Sequence, residues 1–519
     1  MVEERKVTRE KQSLNEWKVV NERFQNLVDA MRSGSIKQAD LNTVEGFLLQ
    51  EGFAVLRCLL QAHLNNRTQE ESTLGQVIGS DGVSREHLKE NCNRDLESVF
   101  GRVTVGRYGY SNYGSQNLYP LDADLNLPQR NYTYGLQKRV AEEAIKGSVD
   151  QGLVSVKKTT GGKVPKRQAL SMVVEMSQDF EAFYEVRNAD TAEQSKDLMV
   201  LSLDSKGVKM RAEGLTESTR KAAEKDAQRV ETGIPRSKDR NHKRMSTVAT
   251  CYSTERDVRS PESIMKALMP SMYEKEERKP EIAVPVTKTK RSKNKRVFAS
   301  LKREPKTICE EVFQEGLRRD PNKSREWVVP VDGDPRQLKN IQSAIKRHGV
   351  KKCTIVIDFI HVLNYIWDAA HAFGFEDRNA AVWVHERALN ILKGKVSDVA
   401  AGIRRSATLR KLKCAARKIV NTSVDYLLKY ADFMQYDRYL SSGFPIASGA
   451  IEGACRYLIK DRLDITGARW SLDGAEAILK LRSIYLSDDF DAYWDFHQVQ
   501  SFQRIHAARY QTLPYLQAA

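Results

Sequence analysis

Apolar positions recur at helical spacing through the first part of the chain: Trp17, Val20, Phe24 and Leu27, then Phe47, Leu48, Phe53, Val55, Leu56, Leu59 and Leu60. Side chains three and four apart share one face of a helix, so residues 14–100 read as a helical region broken by the Gly/Ser patch around Gly79–Gly82. Arg102–Tyr110 alternates as a strand does, and Ser111–Pro128 reads as an irregular, aromatic, Pro-bearing loop. From Tyr134 the pattern predicts short helices over 135–147, 149–158 and 165–178, with Gly161-Gly162 turning between the last two. That is helix-turn-helix grammar. The third helix opens with Pro165-Lys166-Arg167-Gln168, which would present Lys166 and Arg167 to phosphates and base edges. An ordinary three-helix packing unit with a basic tip is the alternative.

The period changes at Leu198-Met199-Val200-Leu201-Ser202-Leu203, a buried-strand run ending at Asp204. A second strand fits Val208–Arg211 and a third Met245–Tyr252, with a basic loop over 236–244 between them. Glu310–Arg319 reads as a helix, Trp327–Val331 as a strand ending at Asp332, Pro335–Arg347 as a helix, and Cys353–Ile357 as a strand ending at Asp358. Strand-helix-strand is a parallel unit with a right-handed crossover, so both acids leave the sheet at its C-terminal edge. Open α/β sheets place their ligands at that edge. The chain is helical again from Val362 to about Tyr439. Phe444-Pro445 then leads into a helix with Ser448 at its cap, small residues over 449–454, and Glu452 among them. Arg456 and Lys460 follow at four-residue steps and share its face, so a solvated Glu–Arg pair is the plain alternative to a functional carboxylate. Two amphipathic helices, 473–486 and 489–508, complete the pattern.

Charge narrows the partners. Lys+Arg outnumber Asp+Glu by 84 to 68, a net charge of +16, which suits a polyanion: nucleic acid first, an anionic membrane surface second. Lys288–Arg303 carries eight cations and no acid and reads as a flexible excursion or nucleic-acid arm within a basic linker over 255–300, with a solvated linker as the alternative. Seven scattered cysteines, odd in number and never spaced Cys-x-x-Cys, indicate neither a zinc site nor a disulfide framework, which fits a reducing cytoplasm. No apolar run approaches the roughly 20 residues that span a bilayer, so the expectation is a soluble, unexported protein without a membrane partner.

Carboxylates at strand ends with a third on a later helix form a ligand set for hard divalent cations, which take oxygen donors and leave positions open for phosphate and water. Two Mg²⁺ (or Mn²⁺) ions about 3.5–4 Å apart would serve an in-line displacement at phosphorus. The segments LDSKGVKMR, RNHKRMSTVATCY, REWVVPVDGDPRQL, TIVIDFIHVLNYIWDAAHAF, VAAGIRRSAT, PIASGAIEGACRYLIKDRLDITGARW and GAEAILKLRSIYLSDDFDAYWDFH resemble the ISKra family of bacterial insertion-sequence transposases, as does YGYSNYGSQNLYPLDADLNLP upstream. The similarity covers roughly residues 100–510. It implies a DDE-type transposase of α/β class: an RNase H-like catalytic core with an all-helical insertion, preceded by a mainly helical N-terminal DNA-binding region. The expected divisions are 1–100, 101–180, 198–361, 362–445 and 446–519.

Matched to the family's motif, the first Asp is Asp204 and the Glu is Glu452. Asp332 and Asp358 both end strands and compete for the second Asp. In an RNase H-like order strand four lies beside strand one; neighbouring strands are about 4.8 Å apart, so Asp332 would adjoin Asp204 while Asp358 lies near 10 Å away. Asp332 is therefore the expected second ligand. Asp358-Phe-Ile-His361 resembles the Asp-x-x-His signature of several DDE superfamilies, a pair that would support the ligands from outside or position DNA. A helix-start Asp with a packed His is the alternative. Lys243, Arg244, Arg456, Arg469 and Trp470 are the expected phosphate and base-stacking contacts. The implied partners are double-stranded DNA, as element ends and as target, and further copies of the chain in a homodimer or higher oligomer, at the nucleoid in the cytoplasm. Two rivals remain: a DNA-binding protein descended from a transposase and no longer catalytic, and a metal-dependent nuclease without strand transfer.

Overall fold

A computed structural model of the protein describes residues 2–187, 193, 195–231, 242–273, 292–465 and 467–512. The chain divides into two compact units, Met1–Phe183 with Phe490–Ala519, and Tyr184–Asp489.

The second unit is built on a mixed sheet of five strands: β1 (Leu198–Lys209), β2 (Lys243–Thr254), β3 (Lys293–Ser300), β4 (Trp327–Val331) and β5 (Cys353–Ile357), in the order β5-β4-β1-β2-β3. β4 runs parallel to both β1 and β5, whereas β2 is antiparallel to β1 and β3. The central strands read as unbroken apolar runs because both of their faces are covered: every residue of β4 is buried, as are Leu198 through Leu203 of β1. The β4–β5 crossover is the helix Pro335–His348. Asp334 caps it by accepting the Arg336 and Gln337 N–H groups at 2.9 and 2.8 Å, Pro335 fills the first turn, and Gly349 ends it with a φ of 61°. β4 and β5 have the bounds expected from sequence. Beyond β5 the helices Phe359–Ala372, Asp377–Leu392, Val396–Leu409, Cys414–Lys429 and Tyr436–Ser441 follow, then Gly449–Cys455 and Leu472–Leu486.

Several expectations are corrected. β1 does not stop at Asp204 but continues to Lys209, taking in Val208 and Lys209 of the separate strand expected at 208–211, because β2 pairs with it throughout, from Leu198↔Thr254 to Lys209↔Lys243. A two-stranded ribbon needs no buried face, so its exposed Ser205 and Lys206 carry no strand signal. The third strand is not an arm: Lys293–Ser300 pairs with β2, its first residues exposed and its last four buried. Cationic side chains had masked the apolar half of that strand. Residues 236–241 of the expected basic loop and 274–291 of the basic linker lie outside the described residues, whereas Lys243 and Arg244, expected in that loop, begin β2.

In the first unit the helices Val2–Arg32 and Leu41–Glu70 match the expected periodicity, but the helical reading fails after Glu70. Val77–Ile78, Ser84–Arg85, His87–Lys89, Arg94–Ser98, Gly101–Val105 and Gly109–Ser111 are short strands, too brief to show an alternation of their own. The three short helices form at Tyr134–Lys146, Val149–Thr159 and Lys166–Met176. Phe490–Ile505 joins them: Tyr493 Oη donates to Met176 O at 2.6 Å, and Asp179 accepts from Arg504 and pairs with His497 Nδ1. Among the described residues no helix is long and apolar enough to cross a membrane.

Candidate active site

Three aspartates follow the buried apolar runs of three neighbouring strands, β1, β4 and β5. The β4–β5 ladder ends at Val331↔Ile357, so the next residues, Asp332 and Asp358, are neighbours, and Asp358 N–H donates to Val331 O at 2.8 Å. β4 pairs with β1 through Trp327↔Met199 and Val328↔Val200, where the paired ladder stops; carried onward, that register would set Asp332 opposite Asp204. Residues level in a parallel ladder project to the same face.

The helix Gly449–Cys455 is fastened across this row at both ends. Ser448 was expected to cap the helix, but its side chain makes no capping bond: its N–H donates to Asp358 Oδ2 at 2.7 Å and its hydroxyl donates to the same oxygen. At the other end the Cys455 thiol donates to Asp204 Oδ2 at 3.2 Å. Seven helical residues rise about 10 Å, and two strand spacings are also about 10 Å, so the helix matches the distance between the outer aspartates. Glu452 lies between the two fastenings and is exposed. The small residues around it let the helix lie against the strand ends.

The four acids differ in environment. Asp358 is fully buried, and its carboxylate already accepts the Ile360 N–H at 2.7 Å besides the two Ser448 donors. Asp204 is half-buried, with Oδ1 accepting Ser205 N–H at 2.6 Å. Asp332 is half-buried, and its Oδ1 accepts Asp334 N–H at 3.0 Å. Burial raises the Cys455 thiol far above its ordinary value and the adjacent Asp204 carboxylate raises it further, so it stays a neutral donor. Among the described residues, the set of three possible metal ligands whose atoms lie within 4.8 Å of one another is Asp358, His361 and Glu452; Asp204 and Asp332 are outside that set.

Tyrosines from the helices after β5 hold the backbone of the row. Tyr426 Oη donates to Asp332 O at 2.8 Å, Tyr430 Oη to Gly333 O at 2.6 Å, and Tyr436 Oη to Ile357 O at 2.8 Å. Tyr365 stacks on Tyr426 with centroids 4.0 Å apart. Gly333 adopts a φ of 93°, and a Cβ there would meet Tyr426 at 3.0 Å, so the Asp332-Gly333 turn depends on glycine. Neither these tyrosines nor Cys455 are singled out in the sequence, and Ser448 is given a capping role there rather than its bond to Asp358; the four-residue step from Tyr426 to Tyr430 was the available signal.

The expected DNA contacts divide into free and engaged groups. Arg167 and Arg469 are exposed, while Lys166 pairs with Asp150 at 2.7 Å. Lys243 is exposed on β2, but Arg244 donates to Leu301 O at 2.8 Å and Gly214 O at 3.2 Å. Arg456 lies one α-helical turn beyond Glu452, its backbone N–H donating to Glu452 O, and its guanidinium reaches Asp461 at 3.6 Å; the π-helical turn over Arg456–Lys460 shifts the phase only of the residues after it, Lys460 among them. Trp470 has one ring face under the Arg462 guanidinium, 4.8 Å from its centroid, and its Nε1 donates to Leu463 O at 3.0 Å.

No family model matches the chain, and no curated protein is similar to it. Among solved structures it is similar to the Drosophila P element transposase strand transfer complex, at 10% identity over 72% of this chain and 82% of that one, with a TM-score of 0.24. A score that low does not bear on the fold or the site.

Proposed function

We propose that this chain is a DDE-type transposase of the ISKra kind, which binds the ends of its element as double-stranded DNA, cuts strands with water as nucleophile, and joins the freed 3′-OH to target DNA. The observation that carries this reading is the row of Asp204, Asp332 and Asp358 crossed by a helix fastened to its two outer members, with Glu452 between the fastenings. The strand order β5-β4-β1-β2-β3, with β2 antiparallel to its neighbours, supports an RNase H-like core, and the run of helices from Asp377 to Ser441 supports an all-helical insertion before the Glu. The ISKra-like motifs fall on these same elements.

Asp204, Asp332 and Glu452 would hold Mg²⁺ or Mn²⁺. All three offer the oxygen donors that hard cations prefer, Asp204 and Asp332 half-buried and Glu452 exposed, although the compact ligand group among the described residues joins Glu452 to Asp358 and His361 instead. When bound, such ions stabilise charge on the attacking and leaving oxygens of an in-line displacement. The chain's own residues set the geometry. Cys455 orients Asp204, Asp358 anchors the Glu452 helix through Ser448, and Tyr426 fixes the backbone at Asp332. Lys243, Arg167 and Arg469, exposed around a cationic chain, draw in the phosphate backbone. The chain acts on DNA as a homodimer or higher oligomer.

The Asp358–His361–Glu452 group favours a second reading, in which these three are the ligands and Asp332 is not. Against it, Asp358 is fully buried and three of the roughly four acceptor positions of a carboxylate are taken. Glu452→Gln keeps the shape and removes the charge, so it should abolish Mg²⁺-dependent cleavage of element-end DNA while leaving DNA affinity unchanged. Full cleavage by that variant would exclude Glu452 as a ligand in either reading.

A further inference from the structure

A cavity of about 190 Å³ in the first unit is lined by Arg94, Arg107, Asp122, Asn131, His506 and Arg509, among others. Three guanidiniums face one carboxylate there. Arg107 is 9% exposed and Arg94 15%, so neither charge is well hydrated. Asp122 is shared between them, 3.0 Å from Arg107 Nε and 3.4 Å from Arg94 Nη1. Arg94 Nη2 is further engaged by the Gln129 and Arg130 carbonyls at 3.0 and 3.2 Å, but Arg107 Nη1 is buried with no hydrogen-bond partner. The Tyr119 ring, 4.3 Å beneath the Arg107 guanidinium, holds that fork in place. His506 adds no charge: its Nε2 meets Leu127 O at 2.8 Å, and burial lowers its affinity for a proton, as do Arg509 and Arg94. Glu71 has burial pushing it up to about 7, so it neutralises the cluster only in part at neutral pH. Arg509 stands exposed at the rim.

Buried cations in excess over their partners are costly unless an anion completes the set, and planar guanidinium forks match tetrahedral oxyanions. We propose that Arg107, Arg94 and Arg509 form a phosphate pocket that takes a backbone phosphodiester of bound duplex DNA. This occupant rests on the DNA-binding reading above, whereas the preference for a phosphate group does not. The pocket anchors DNA on strand and C-terminal residues of the first unit rather than on the Lys166–Met176 helix that the sequence singled out.

The test uses the full chain with a short random-sequence duplex and with inorganic phosphate, comparing wild type, Arg509→Gln, Arg509→Lys and Asn131→Asp. Both 509 and 131 are exposed positions, so these variants fold. Arg509→Gln should weaken duplex binding about 3–10-fold near 0.1 M salt and lower the slope of log affinity against log salt by about one, with Lys restoring most of both. Asn131→Asp should weaken binding similarly, and millimolar phosphate should raise the melting temperature of the wild type but not of Arg509→Gln. Unchanged duplex affinity and slope in Arg509→Gln, with the phosphate effect lost, overturns the DNA phosphodiester in favour of free phosphate. An unchanged variant in both assays overturns the pocket itself. A wild type that does not bind duplex at all is instead the failure of the functional reading, and the phosphate arm then decides the pocket alone.

Discussion

Cys455 and Ser448 bind the row of aspartates without being acids. Each donates to an outer aspartate, and each sits at one end of the helix that carries Glu452. If that helix is held by its two fastenings, Cys455→Ala should reduce strand cleavage by about 10–100-fold and raise the metal concentration needed, as removal of groups that orient metal ligands does. Cys455→Ser, which keeps a donor, should recover part of the loss. Metal titration of the cleavage rate checks this, and an alanine variant with the wild-type metal requirement would remove Cys455 from the account. Asp204, Asp332 and Asp358 could be picked out in the sequence because each ends an apolar run of strand length. The pairings of the two donors could not be, since a lone Ser or Cys has no periodicity and its partner lies up to 251 residues away; Ser448 stood out only as a helix cap.

Elements bounded by strong local signals were legible to within a residue or two. β4, β5 and the crossover between them have an apolar run, a capping Asp and a closing Gly, all local chemistry. β3 and the strands after Glu70 were not, because short or half-exposed strands borrow their pattern from neighbours on the sheet. The helix Leu41–Glu70 ends on such a feature. Glu71 is buried, with Oε2 accepting Tyr108 N–H at 2.9 Å. Burial pushes its carboxyl up to about 7, opposed by that hydrogen bond and reinforced by Asp122. An acid whose folded value is raised is favoured while protonated, so its contribution is present at low pH and is lost as pH rises from the ordinary carboxylate range through about 7. The first unit should lose on the order of 2–3 kcal/mol across that window, and Glu71→Gln should flatten the dependence. Melting at several pH values tests it; a Gln variant with the same pH profile would show that another group titrates.

Over the whole molecule, a charge of +16 gives a general attraction to polyanions, but the described cations are not equally available for it. Arg244 and Lys166 are engaged within the protein, while Arg167, Lys243 and Arg469 are exposed. Charge composition could be read from the sequence, whereas the pairing of each cation depended on which acids and carbonyls the fold brought near. The proposed chemistry is more localised than affinity and turns on which aspartate joins Asp204. The most direct measurement is single-turnover cleavage of element-end DNA by Asp332→Ala and Asp358→Ala, in Mg²⁺ and in Mn²⁺. With Asp332 beside Asp204 as a metal ligand, Asp332→Ala should lose cleavage by several orders of magnitude in both metals, while Asp358→Ala should lose about 10–100-fold and His361→Ala should resemble it. Near-wild-type cleavage by Asp332→Ala, together with complete loss in Asp358→Ala, would contradict this assignment and give the site to Asp358, His361 and Glu452.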